Sequence, residues 1–346
     1  MKEAMLYDQL DEDRVRCKLC AHRCKIAEGR RGVCQVRENV RGTLYTQVYG
    51  RVIAQHVDPV EKKPLFHFYP GSRAYSIATP GCNFRCRWCQ NADISQMPRD
   101  RKAVLGETTE PSEVVSRASA YQCRSIAYTY TEPTIFYEFA YDIARLAQSG
   151  GIANIFVTNG YMTEEMLEQF HPYLDAANVD LKAFREETYR KYVGARLQPV
   201  LDSMKAMKRL GVWLEVTTLV VPGLNDEEAE LRDEARFVAR ELGSETPWHL
   251  SRFYPAYHMA DTGPTPLSTL QRAKDIGQQE GLKHIYIGNV PGESNTYCSQ
   301  CGEVLIRRSD YEVLENRLDN GAKCPHCGAE LAGIGLTDGP AHVSGV

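Results

Sequence analysis

The chain has 346 residues, 43% of them hydrophobic, which allows one large α/β domain with small appendages. A formal net charge of −4 argues against a general nucleic-acid binder. No apolar run approaches a membrane span, and the opening MKEAMLYDQLDEDR lacks a secretory apolar core, so a cytoplasmic location is expected.

Twelve cysteines in such a chain point to reduced thiols used on metals. They form an N-terminal four (Cys17, Cys20, Cys24, Cys34), a central three (Cys82, Cys86, Cys89) and a C-terminal four (Cys298, Cys301, Cys324, Cys327), with Cys123 apart. That partition is also the expected domain map: a Cys-rich segment with short strands over 1–72, a main body over 73–291, a ribbon over 292–335 and a tail over 336–346.

The N-terminal four fall at C-x2-C-x3-C-x9-C spacing, with Gly29 and Gly32 marking loops rather than long helices. So small a piece buries little core, and a metal would supply its folding energy. Zinc or an auxiliary iron–sulfur cluster is expected there. From Arg14 to Arg41 nine Arg or Lys stand against Glu28 and Glu38, offsetting thiolate charge or steering an acidic electron donor such as a ferredoxin or flavodoxin. Residues 43–56 alternate and read as two short strands or a hairpin around Gly50.

In the main body, strand-like runs at 74–79, 125–131, 154–158, 177–182, 212–220, 248–254 and 284–288 alternate with helical periods at 111–121, 135–148, 163–172, 198–209, 226–242 and 268–280. Repeated βα units predict a parallel sheet wrapped by helices. The strand ends gather polar and turn residues: Thr79-Pro80-Gly81, Thr131-Glu132-Pro133, Thr158-Asn159-Gly160, Asp180-Leu181-Lys182, Val221-Pro222-Gly223 and Tyr254 to Tyr257. In β/α barrels that edge carries the active site.

The first such end opens into Cys82-x3-Cys86-x2-Cys89. Three thiolates on a short loop can hold three irons of a [4Fe–4S] cube. The next cysteine, Cys123, falls in another element, where it reads as a small buried hydrophobe. The fourth iron is thus left open to a non-protein ligand. A zinc knuckle is the alternative, although structural zinc takes four protein ligands.

This spacing resembles the radical S-adenosylmethionine (SAM) enzymes. Residues 75–290 look like that family's partial (β/α)6 barrel, in the branch of pyruvate formate-lyase activating enzyme. The whole chain resembles the AmmeMemoRadiSam-system enzymes, through the N-terminal C-x2-C-x3-C, Cys89-Gln90-Asn91, YTYTEPT and GNVPGE. The resemblance implies SAM on the open iron, cleaved to methionine and a 5′-deoxyadenosyl radical. It implies that Glu132 or its backbone receives the SAM amino group, although Tyr130 and Thr131 replace the relatives' Gly-Gly. It places Thr158 and Asn159 near SAM, Asp180 and Lys182 at its methionyl part or the substrate, Trp88 on the adenine and Val221 in an apolar wall along adenine or ribose. Tyr257 falls near an aromatic–His element. An Arg in activating enzymes would stand at Glu215. AMMECR-like and Memo-like proteins are implied partners.

The C-terminal Cys298-x2-Cys301 and Cys324-x2-Cys327, each followed by Gly, predict a zinc ribbon. Six acidic against four basic residues from Cys298 to Glu330 do not favour phosphate binding. The leading expectation is thus a radical SAM oxidoreductase or lyase of unidentified substrate. A glycyl-radical-enzyme activase and a non-catalytic, zinc-stabilised interaction protein are the alternatives.

Overall fold

Runs of β-branched and aromatic residues that are apolar on both faces suit strands covered on both sides. Seven of them form the parallel part of one sheet. The computed structural model describes residues 1–338. An antiparallel edge strand, β1 (Ala54–Pro59), leads into the parallel strands β2 (Arg73–Ala78), β3 (Ser125–Tyr128), β4 (Ala153–Thr158), β5 (Ala176–Asp180), β6 (Trp213–Val220), β7 (Trp248–Arg252) and β8 (Ile285–Gly288). They lie side by side in sequence order, and among the described residues β1 and β8 remain free edges. Six helical crossovers join the seven parallel strands, giving the expected partial (β/α)6 barrel.

The helices are α1 (Pro111–Ala120), α2 (Tyr137–Ser149), α3 (Glu164–Phe170), α4 (Gln198–Arg209), α5 (Glu228–Phe237) and α6 (Leu267–Gln279). Each buries one face, as Ile143, Ala144 and Ala147 do on α2. The expected strand 125–131 ends early, at Tyr128, because Tyr130 turns the chain with φ +63°.

No hairpin forms around Gly50. Thr43–Thr46 pairs with Arg37–Val40 and Lys2–Glu3, whereas β1 joins the main sheet along β2. Gly50, at φ +67°, instead approaches Thr109, whose N–H donates to the Gly50 carbonyl at 2.9 Å.

The N-terminal module is built of short strands, as its loop-forming residues imply. It is riveted to the barrel by a buried pair, Arg37 on Glu138 of α2, at 2.8 and 3.2 Å. At the other end, β9 (Val304–Ser309) and β10 (Glu312–Asn316) form a hairpin between the two cysteine pairs. Leu336, where the tail was expected to start, is buried, and its carbonyl accepts from Asn316 Nδ2 at 2.7 Å. The remainder of that expected tail, from 339 onward, lies outside the described residues.

Candidate active site

The cysteine loop leaves the end of β2 and is gripped along its backbone. Gly81 has φ +110°, and a Cβ there would lie 2.8 Å from Val36 Cγ1, so only glycine fits. Phe84 is buried against Tyr161 and Tyr189. Arg85 N and Arg87 N donate to the Val193 and Tyr192 carbonyls at 2.8 and 3.1 Å. Cys86 is buried and Cys82 and Cys89 are half-buried. Cys82 Sγ accepts from Phe84 N at 3.3 Å, and Asn159 Nδ2 lies 3.8 Å from it. Cys89 Sγ is 3.2 Å from Ser95 Oγ. Burial pushes the Cys86 thiol up to about 12, with Lys182 pulling the other way. The Cys86 thiol therefore favours the protonated form until a cationic metal centre makes the thiolate the stable state.

Around the loop the strand ends interlock. Glu132, fully buried after β3, accepts from Thr134 N at 3.0 Å, Thr158 Oγ1 at 2.7 Å and Asn159 N at 2.8 Å, and from Thr134 Oγ1. Burial raises its pKa while these donors oppose the rise. The carboxylate thus ties the end of β3 to that of β4. Tyr130 is anchored: its OH donates to Asp58, and Lys63 Nζ lies 4.7 Å from its ring centroid.

Asp180 ends β5 and pairs with Lys182 at 2.9 Å. Burial opposes the charge on Lys182, but Asp180 outweighs it and holds the ammonium protonated. Val221 is buried at the end of β6, its N–H on Asn225 Oδ1 at 2.7 Å, and Asn225 Nδ2 reaches the Lys182 carbonyl at 3.1 Å. Tyr257 donates to Asp100 at 3.0 Å, and its neighbour His258 donates its N–H to the Arg87 carbonyl at 2.9 Å. Trp88 is buried inside the loop.

Glu215 serves the fold rather than the site. It is fully buried and accepts from Phe66 N at 3.0 Å, His67 N at 2.8 Å and Trp213 Nε1 at 3.1 Å, with His249 Nε2 at 2.6 Å. Burial works against its charge, yet His249 and the other donors hold the carboxyl below its usual range. This position is spent on fastening the 60–72 segment to the sheet.

Three buried polar atoms in this region lack partners among the described residues: Thr79 Oγ1, Asn83 Nδ2 and Trp88 Nε1. Buried polar groups are nearly always paired, so the residues fit a polar group held on and around the loop. Asn83, unmarked in the sequence, also links the site to its neighbours. Its side-chain oxygen accepts from Asn159 at 2.7 Å and its carbonyl meets the His22 ring at 2.8 Å. Its place inside the cysteine loop was the available signal. Tyr189, whose OH accepts from Lys182 N at 3.1 Å, gave no such signal. Cys123 is buried in the main core, as a small hydrophobe would be.

The C-terminal cysteines bring their sulfurs within 4.8 Å of one another, with Cys298–Cys327 at 3.5 Å and Cys301–Cys324 at 3.6 Å. A single tetrahedral ion fits that spacing.

Residues 76–235 match the Radical SAM superfamily. That stretch, which holds the cysteine loop and the strand ends around it, is a Radical SAM superfamily domain. It is 47% identical to the uncharacterized protein MJ0808 of Methanocaldococcus jannaschii, over 96% of this chain and 99% of that protein. It is 26% identical to the pyruvate formate-lyase-activating enzyme of Clostridium pasteurianum, over 49% of this chain and 70% of the relative. A radical SAM methyltransferase from Sphaerobacter thermophilus shares the fold, with a TM-score of 0.50 at 16% identity over 64% of this chain and 68% of the other. A domain of this superfamily implies a [4Fe–4S] cluster and SAM, and the three-cysteine loop with its unpartnered polar neighbours is suited to both. No helix among the described residues is long and apolar enough to cross a membrane.

Proposed function

We propose that Cys82, Cys86 and Cys89 hold a [4Fe–4S] cluster whose open iron takes SAM, and that the protein is an oxidoreductase or lyase acting on an unidentified substrate. One observation carries this reading: three cysteines, without a fourth beside them among the described residues, converge with unpartnered buried polar atoms at the carboxyl edge of a parallel sheet. The chemistry supplied there, once cluster and SAM are bound, is reductive cleavage of SAM to methionine and a 5′-deoxyadenosyl radical that abstracts hydrogen.

The chain's own residues bind and orient. A carboxylate has roughly four acceptor sites, and Glu132 Oε2 accepts one bond among the described residues. That oxygen, with the turn's carbonyls, receives the SAM ammonium. Thr158 and Asn159 fix the neighbouring turn. Lys182, kept charged by Asp180, faces the anionic sulfurs and the SAM carboxylate. Trp88, Val221 and Tyr257 wall the adenosyl part. Zinc occupies the C-terminal cysteines as a staple.

The exposed Arg85 and Arg87 beside the loop suit an acidic one-electron donor, a reduced ferredoxin or flavodoxin. Such chemistry belongs in a reducing cytoplasm. The overall resemblance makes AMMECR-like and Memo-like proteins candidate partners. A second reading, activation of a glycyl-radical enzyme, draws on the activating-enzyme relatives. The diversion of Glu215 into the fold favours the first. A co-purifying glycyl-radical enzyme would favour the second.

The test is anaerobic reconstitution with iron and sulfide, reduction by dithionite with SAM, and chromatography of 5′-deoxyadenosine. The intact protein is expected to form it and Cys82→Ala is not. Equal yields from both would sink the enzyme reading and leave a metal-stabilised interaction protein.

A further inference from the structure

We infer that Cys17, Cys20, Cys24 and Cys34 hold a second four-iron, four-sulfide cluster, ligated entirely by this chain. Backbone pairing brings the four together. Cys17 N donates to the Cys24 carbonyl at 3.0 Å, and Arg23 N closes a turn onto the Cys20 carbonyl at 3.0 Å. Val33 N donates to Cys24 Sγ at 3.5 Å, which delivers the adjoining Cys34 to the same place.

Four thiolates are a soft set that selects zinc or an iron–sulfur centre, and separation decides between the two. Around one zinc with Zn–S of about 2.3 Å, tetrahedral sulfurs stand about 3.8 Å apart. The C-terminal four meet that condition, all within 4.8 Å. Among the described residues the N-terminal four do not close so far. A cube that offers a separate iron to each thiolate requires this wider stance.

Arg37 supplies an independent observation. It is 1% exposed, its two terminal nitrogens are on Glu138, and its Nε has no partner among the described residues. After Glu138, its neighbouring anionic groups are Cys17 and Cys34. A buried N–H without an acceptor costs about 1–3 kcal/mol. An anionic, thiolate-ligated centre supplies both the acceptor and the opposite charge, so Arg37 marks an occupied site, and the sulfur separation selects the cluster over zinc.

The site also shares walls with the SAM-binding loop. The His22 ring meets the Asn83 carbonyl, Arg99 Nη2 holds the Val33 carbonyl at 2.9 Å, and Val36 fills the space left by Gly81. Cys34 is two residues from Val36, at most about 7 Å of chain.

Iron, sulfide and zinc analysis of the anaerobically reconstituted full chain tests the assignment. About eight iron, eight sulfide and one zinc per chain are expected. Joint Cys82→Ala, Cys86→Ala and Cys89→Ala substitution should retain about four iron and four sulfide, with a dithionite-reduced paramagnetic signal. Joint alanine substitution of the N-terminal four should retain the other half. About four iron with two zinc in the unmodified chain overturns the assignment. So does an N-terminal variant that keeps all its iron. Should either variant misfold, the iron-to-zinc ratio of the unmodified chain decides alone. Absence of SAM cleavage would leave these counts unchanged, so the two readings fail separately.

Discussion

Glu132 and Glu215 are both fully buried carboxylates surrounded by donors, yet they do different work. Glu132 joins two strand ends beside the cysteine loop, whereas Glu215 fastens the segment before β2. Glu132→Gln sets an amide N–H against the Asn159 N–H, or loses the Thr158 bond if flipped. Glu132→Gln also removes the charge proposed to receive the SAM ammonium, a charge-assisted bond of about 1.5–3 kcal/mol, so SAM affinity should fall about ten- to 150-fold. Iron content should be unchanged. Equilibrium dialysis of the reconstituted protein reads the affinity, and a loss of iron in parallel would move Glu132 from SAM binding to loop folding. Glu215→Ala strands two backbone N–H groups and the Trp213 and His249 rings, and should destabilise by about 3–5 kcal/mol. The urea midpoint measures it, and a loss below about 1 kcal/mol would show that water replaces the carboxylate.

At the scale of elements, the cysteine loop and the N-terminal module fit together through one missing side chain. Gly81→Ala meets both the Val36 contact at 2.8 Å and the cost of φ +110°. Iron retention should drop, and Val36→Ala in the same chain should restore part of it by removing the clash alone. No restoration would assign the whole effect to backbone strain. Helix α5 meets β6 through Glu234, fully buried, which accepts from Thr218 Oγ1 while Oε2 lacks a partner among the described residues. Burial lifts its carboxyl from 4.5 to about 8, with the Thr218 bond opposing and Glu230 adding to the rise. Between those values the folded chain keeps a proton that the unfolded chain has released. The group's stability contribution is therefore complete below pH 4.5 and is lost as pH rises through about 8. Glu234→Gln should melt like the unsubstituted protein near pH 5 and higher than it near pH 9, and parallel melting curves across that range would refute the assignment. Much of this element plan was legible. The helix at 198–209 matches its apolar period at both ends because its buried positions, Val200, Leu201, Met204 and Met207, recur at helical spacing. The cysteine loop was legible because metal ligands must be close in sequence to share a loop. What stayed hidden depends on distant partners. Tyr130 at positive φ is held by Asp58, Glu215 answers to residues 66 and 67, and β1 turns away from Thr43–Thr46 to pair with β2.

The whole molecule poses a problem that the barrel alone leaves open, since β1 and β8 do not meet among the described residues. Outside the barrel strands, the 60–72 segment and the C-terminal hairpin pack on one another. Arg308 of β9 is their joint: it is fully buried, donates to the Phe66 carbonyl at 2.6 Å and Thr296 Oγ1 at 2.7 Å, and lies 3.5 Å from Glu61. Glu61 in turn accepts from Gly71 N at 2.8 Å, and the His67 ring bonds the Ala332 carbonyl and Tyr286 OH at 2.8 and 2.6 Å. The ribbon therefore bears on the same Phe66–His67 pair that Glu215 holds from the sheet side. Arg308→Ala leaves Glu61 buried without its cation, at a cost of about 3–5 kcal/mol. Because the joint is shared, the loss should spread. Hydrogen exchange should quicken in 61–71 and in 293–338 together, and a chelator that removes the zinc proposed for the C-terminal cysteines should produce the same paired pattern in the unsubstituted chain. Pairing Arg308→Met with Glu61→Gln removes both charges, and should recover part of the lost stability. Faster exchange confined to the ribbon in both experiments would show that the 60–72 segment holds its place without it.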